Sequence, residues 1–178
     1  MLYTEAKAYL IQKLKDAGLN TKPHTTMKSL SRTMESHVGA VLPGTETLTR
    51  NGSKTIYRDQ EGAQHKRRKI FDRDVTIQVI LGDYNDGKVE EMLDRFLASL
   101  DRGIEVGGNF VPLEVSGVEW DTEADHPLKA EVAVRVSITF QGGVYKDTDF
   151  RRVKDYVLED VQKMNGKEPG DGNERNQG

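Results

Sequence analysis

Glu131-Val-Ala-Val-Arg-Val-Ser-Ile-Thr-Phe140 decides the fold. Val132, Val134, Val136, Ile138 and Phe140 hold every second position, opposed by Glu131, Arg135, Ser137 and Thr139, so the segment has one apolar and one wet face. A strand of a parallel sheet is covered on both faces and is apolar almost throughout. Strict alternation belongs to an antiparallel sheet with one covered face. The stretch Phe71 to Leu81 repeats the pattern, with Val75, Ile77, Val79 and Leu81 facing one way and Thr76 and Gln78 the other.

Helices are expected on the covered face. Leu2, Ala6, Tyr9, Leu10, Leu14 and Ala17 form a stripe at helical spacing, with the Lys13 stem at its edge, and Gly18-Leu19 is a stop signal. Val89, Met92, Leu93, Phe96, Leu97 and Leu100 form a second stripe, with Asn85 or Asp86 as its N-cap and Gly103 as its stop. Val153, Tyr156, Val157, Val161 and Met164 suggest a third helix, from about Asp149 to Asn165.

Shorter strands fill the rest. Val38, Ala40 and Leu42 alternate before Pro43-Gly44, and Asn51-Gly52 between Thr45–Thr49 and Lys54–Tyr57 signals a two-residue hairpin turn. Residues 20–33 and 58–69 are polar connections. Gly107-Gly108-Asn109 is a tight turn between two strands, and the apolar register from Val115 to Trp120 flips at Ser116-Gly117, which a β-bulge explains. Gly142-Gly143 is expected to be another turn.

The order α, several β, α, several β, α gives the α+β class: one antiparallel (mixed) sheet with helices packed on one face, an extended β-hairpin arm and a C-terminal helix. Residues 1–145 form the domain, 146–165 the C-terminal helix, and 166–178 a polar tail expected to be disordered.

Composition narrows the function. The chain has 178 residues, enough for one domain and its own core, and its net charge of −3 excludes an overall field that attracts nucleic acid or anionic lipid. Without cysteine there is no disulfide, thiol nucleophile or cysteine zinc site, which fits a reducing compartment. No apolar run approaches the roughly 18 residues of a membrane span, and Met1 to Glu5 lacks the basic start of a signal peptide, so a soluble, intracellularly made protein is expected.

Catalytic signatures are hard to find. His24, His37, His65 and His126 are scattered with no metal-ligand spacing. Asp121, Glu123 and Asp125 imitate the start of a calcium loop, but His126 replaces its glycine and Val132 its bidentate carboxylate, leaving a solvated hairpin tip. Gly107-Gly108 and Gly142-Gly143 lack phosphate-loop spacing, and Gly-x-Ser-x-Gly is absent. Nothing marks a carboxylate pair for acid–base work, so neither an enzyme nor a cofactor is expected.

Charge is the remaining anomaly. His65-Lys66-Arg67-Arg68-Lys69 puts four fixed cations in a row, and from Arg58 to Arg73 six Lys/Arg face Asp59, Glu61 and Asp72. A flexible loop of this kind would reach a phosphate backbone or an acidic partner. Its plainer role is a solvated loop that guards a sheet edge from aggregation. With no aromatic residue between 58 and 70, stacking on single strands is disfavoured.

The layout resembles the tail terminator, or tail-completion, proteins of long-tailed bacteriophages, the family of the minor tail protein U and the head-to-tail joining proteins. The resemblance spans roughly residues 1–145. It rests on the helix Leu2 to Ala17, the strand Val38 to Leu42, an extended arm ending in Asp74-Val75-Thr76-Ile77-Gln78-Val79, the helix Gly87 to Leu97, and a last strand pair closing with Val132 to Phe140. It implies a structural subunit of a phage or prophage virion, assembled in the host cytoplasm. Six copies would close a ring on the finished tail tube, stop tube polymerisation and offer a surface to a neck or head-completion protein. DNA would pass through the lumen without sequence-specific binding. No catalytic residue carries over, and by analogy Lys66, Arg67, Arg68 and Lys69 project toward the lumen, a neighbouring subunit or the neck. The C-terminal helix and tail exceed the family's compact core. Another head-tail connector, or a nucleic-acid-binding module using 65–69, is the alternative.

Overall fold

A computed structural model describes residues 1–58, 61–121 and 132–149. Its elements run α1 (Leu2–Asp16), α2 (Met27–Leu30), β1 (Val38–Arg50), β2 (Lys54–Arg58), β3 (Gln64–Asp83), α3 (Asp86–Ser99), β4 (Gly103–Val106), β5 (Asn109–Asp121) and β6 (Val132–Asp149). Six strands make one sheet in the order β1-β3-β6-β5-β4, with β2 also paired to β3, and every ladder is antiparallel. The fold is α+β with one antiparallel sheet, as the alternating strands require.

The two deciding strands lie side by side at the centre, Val75 opposite Phe140 and Val79 opposite Val136. Their apolar faces meet Leu2, Ala6, Leu10 and Leu14 of α1 and Val89, Met92, Leu93 and Phe96 of α3 in one buried cluster. Burying a Leu or Phe side chain contributes about 1.5–3 kcal/mol, so this cluster is the main source of stability. Helix α1 ends in a Schellman motif: Gly18 takes φ 106°, its N–H reaches Lys15 O, and Leu19 N–H reaches Leu14 O. Asn85 caps α3 by accepting from Lys88 N at 3.1 Å. The turn at Gly107-Gly108, both at positive φ, and the bulge between Val115 and Gly117 also form as their sequences imply.

Several expectations fail, all for tertiary reasons. Asn51-Gly52 does not reverse the chain, because β1 and β2 run in the same direction along one edge of β3. Asn51 Oδ1 accepts from Ser53 N at 2.8 Å, a local side-chain turn that interrupts the edge strand without folding it back. The hairpin instead turns between Arg58 and Gln64, with Gly62 at φ 82°. The connection expected over 58–69 is therefore strand from Gln64 onward, held by hydrogen bonding to β2 and β6 although neither face is apolar.

Gly142-Gly143 is not a turn either. Both lie inside β6, opposite Arg73 and Asp72. A Cβ on Gly142 would sit 2.6 Å from Leu2 Cδ2, so glycine is what lets the start of α1 rest on the strand. Residues 146–149 of the expected C-terminal helix are also strand, their ladder with β3 running through to His65 opposite Asp149. The rest of that helix, 150–165, and the tail 166–178 lie outside the described residues, as does His126.

The segment 20–33, expected to be irregular, contains the single-turn helix α2, which Thr26 caps through Ser29 N. Leu30 joins Val38, Ala40, Leu42, Ile80 and Ala133 in a small second cluster on the face away from α1 and α3.

Candidate interaction surface on the strand arm

Beyond Gly142, on which the start of α1 still rests, the sheet leaves its helices behind. The seven residues from Gly143 to Asp149 carry β6 onward by about 24 Å at ~3.4 Å per residue. They do so in register with β3, which in turn pairs with β2 on its other side. In this three-stranded arm no side chain of 54–58, 64–69 or 144–148 is buried.

The basic run lies on the central strand of the arm, so its cations alternate between two faces. Arg67 and Lys69 take one face, and each has an acidic partner. Asp147 accepts from Arg67 Nε and Nη2, both at 2.8 Å, and from Tyr57 Oη at 3.3 Å, while Arg67 Nη1 donates to Asn109 Oδ1 at 3.1 Å. The guanidinium also sits 4.8 Å from the Tyr57 ring centre and 5.7 Å from that of Tyr145. Tyr57 stacks on His65, with ring centres 5.3 Å apart. Asp147 is held below the usual carboxylate range, chiefly by hydrogen bonding from Arg67, and Arg67 is raised in return. Lys69 Nζ lies 2.6 Å from Asp72 Oδ1, and Asn51 Nδ2 donates to Asp72 Oδ2 at 2.8 Å. The Lys69 and Asn51 hydrogen bonds hold Asp72 low, and Asp72 raises Lys69. Tyr57, Arg67, Lys69, Asn109 and Tyr145 line a recess of about 440 Å³. Aromatic rings absent from 58–70 in the sequence thus arrive from β2 and β6.

Lys66 and Arg68 point the other way. The four residues expected to act together therefore form two pairs, one neutralised and one not. His24 is elsewhere, in a parallel bridge between its backbone and Ala40.

A second polar site was missed entirely. Asp83 is 2% exposed and its Oδ2 lies 2.8 Å from His37 Nδ1, while Oδ1 accepts from Tyr84 N at 2.7 Å. The pair walls a recess of about 370 Å³ lined also by Asn20, Lys88, Glu91 and Arg95. Among the described residues that line it there is no Ser, Thr or Cys, so a hydroxyl–imidazole–carboxylate triad of the serine or cysteine hydrolase type is not assembled there. His37 and Asp83 are 46 positions apart, and no local signal joins them. Among the described residues no three His, Asp or Glu side chains are placed to hold a metal.

The wet face of the body sheet carries Thr76, Gln78, Arg135, Ser137 and Thr139, all half-buried, with Thr76 and Thr139 hydroxyls 3.0 Å apart. At the opposite edge β4 covers β5 only as far as Pro112. Past it, Val115, Val118 and Trp120 are exposed, Trp120 by 47%.

No family model matches this chain, and no curated protein matches it in sequence. Among the described residues no helix is long and apolar enough to cross a membrane.

Proposed function

We propose that this chain is a structural assembly subunit: a tail terminator or head-to-tail joining protein of a phage or prophage, acting as a ring without a reaction or cofactor. The observation that carries the reading is the arm. It extends the sheet about 24 Å past Gly142, the last buried residue of β6 among the described residues, and buries no side chain of its own over 144–148. A strand platform with two open faces gains most of its stabilisation when another molecule covers it.

The outer edge of β5 past Pro112, unpaired among the described residues and with Val115, Val118 and Trp120 beside it, offers a different surface at the other side of the body. Two unlike surfaces on one subunit are what a head-to-tail ring contact needs, and such contacts close when the rotation between neighbours divides a full turn. In this reading the partners are neighbouring copies, the tail tube protein and a neck or head-completion protein, and the protein resides in the virion tail.

The test is electron microscopy of particles made after deletion of this gene from its source genome. Overlong or ragged headless tails, rescued by supplying the protein, establish termination. Headless tails of normal length assign the joining role instead. Intact infectious particles would refute both.

A further inference from the structure

Lys54, Arg68 and Lys146 are direct neighbours across three strands. Lys54 opposes Arg68 on one side and Lys146 opposes Arg68 on the other, so the three side chains stand in one row on one face. The next row toward the tip is Ile56, Lys66 and Thr148, and Arg58 opposite Gln64 follows. Lys54, Arg58, Arg68 and Lys146 are exposed and Lys66 is half-buried. Among the described residues no acidic residue stands in these rows, and none of the five cations forms a salt bridge.

This arrangement is costly in isolation. Like charges directly opposite each other across a ladder destabilise it, and here the central arginine has a lysine on both sides. Asp147 and Asp72 stand on the opposite face, where they neutralise Arg67 and Lys69. Cations are thus sorted onto one side of a strand platform with no acid among the described residues to compensate them, on a chain whose net charge is −3. A regular polyanion relieves that repulsion along the whole face.

We propose that this face, formed by Lys54, Lys66, Arg68 and Lys146 with Arg58 at its tip end, binds the phosphodiester backbone of duplex nucleic acid without reading its sequence. Two features favour a backbone over an acidic protein. Rows ~4.8 Å apart across strands and ~6.8 Å apart along them present a grid of point charges, suited to repeating phosphates. The face has only Ile56 as an exposed large apolar side chain within these rows, whereas a specific protein interface needs a buried apolar centre. The inference does not rest on the ring reading, since the isolated chain should bind.

The experiment is fluorescence anisotropy of a labelled 30-base-pair duplex with the full chain over a salt series, with polyglutamate as a second probe. Lys54→Glu/Lys146→Glu is compared with Lys28→Glu/Arg32→Glu, which makes the same change in net charge on exposed residues at and just after α2. The expected result is duplex binding at about 50 mM salt that weakens steeply as salt rises. The arm variant should lose about tenfold or more, with a log–log salt slope shallower by about 2, and the control should stay within about threefold of the parent. Because both substitutions place a carboxylate beside Arg68, the arm variant's melting temperature should not fall, which separates lost binding from lost folding. Absence of duplex binding at low salt, or equal loss in both variants, overturns the proposal. Binding of polyglutamate in preference to the duplex overturns it too and assigns the face to an acidic protein.

Discussion

The body and the arm are made of the same strands and obey different rules. In the body, β3 and β6 carry Ile77, Val79, Val136 and Ile138 at zero exposure beneath two helices. In the arm the same two strands carry lysine, arginine, aspartate and tyrosine, and backbone pairing and ion pairs hold them together. A two-stranded ladder without a core is marginal in water, and the arm has a third strand and a covalent root in the core. Stability should therefore be graded along each strand, highest at the helices and lowest at the tip.

The largest effect that would sharpen this contrast comes from the core. Phe96→Ala removes a fully buried ring between α3 and the sheet and should cost about 3–5 kcal/mol in denaturant unfolding. Next is Asp83→Ala, which strips His37 Nδ1 and the Tyr84 N–H of their shared acceptor, at about 1–3 kcal/mol. Arg67→Ala should cost about 1 kcal/mol or less globally, because its partner Asp147 is partly exposed. Its signature should be faster amide exchange confined to 144–148 and 54–58. A loss of several kcal/mol instead would mean that arm and body unfold as one unit.

Acid should separate the regions further. Asp72 and Asp147 have folded-state pKa values depressed below the ordinary 3.8, so their pairs are intact at neutral pH. Their contribution is lost as pH falls through 3.8 toward the folded values. Amide exchange corrected for intrinsic rates should show the arm loosening first as pH drops from 6 to about 3. The body's Lys13–Asp101 pair, half-buried at Lys13 and exposed at Asp101, breaks too, with little effect on its apolar core. The smallest effect should come from Arg95→Ala, which deletes an exposed pair with Glu91 one helical turn away and should shift stability by about 0.5 kcal/mol or less.

The same contrast explains what was legible in the sequence. Val132 to Phe140, Phe71 to Leu81 and the stripes of α1 and α3 could be read because each has one covered face, which writes a period of two or of about 3.6 into the residues. The arm has no covered face, so no period marks it. Residues 64–69 read as a polar connection, Gly142-Gly143 as a turn and Asn51-Gly52 as a reversal, because pairing with β3 and not local turn chemistry sets the path of these segments. Of the candidate site, the run 65–69 was visible as charge. Its division between two faces depends on register, and its companions Lys54 and Lys146 come from β2 and β6. Gly142 gave a turn signal because its actual reason, the Leu2 side chain, is 140 positions away.

One residue sets the phase of the arm. Lys69 opposes Tyr145 and Phe71 opposes Val144, so Ile70 stands outside the ladder. Were Ile70 absorbed by a one-residue slip, Arg68 would face Asp147 and Lys69 would face Lys146, exchanging the free and neutralised cations. Ile70 thus works like a reading frame for charge. Among length variants of this arm, changes by two residues per strand would keep the frame, and a change by one on the tip side of Ile70 would invert it.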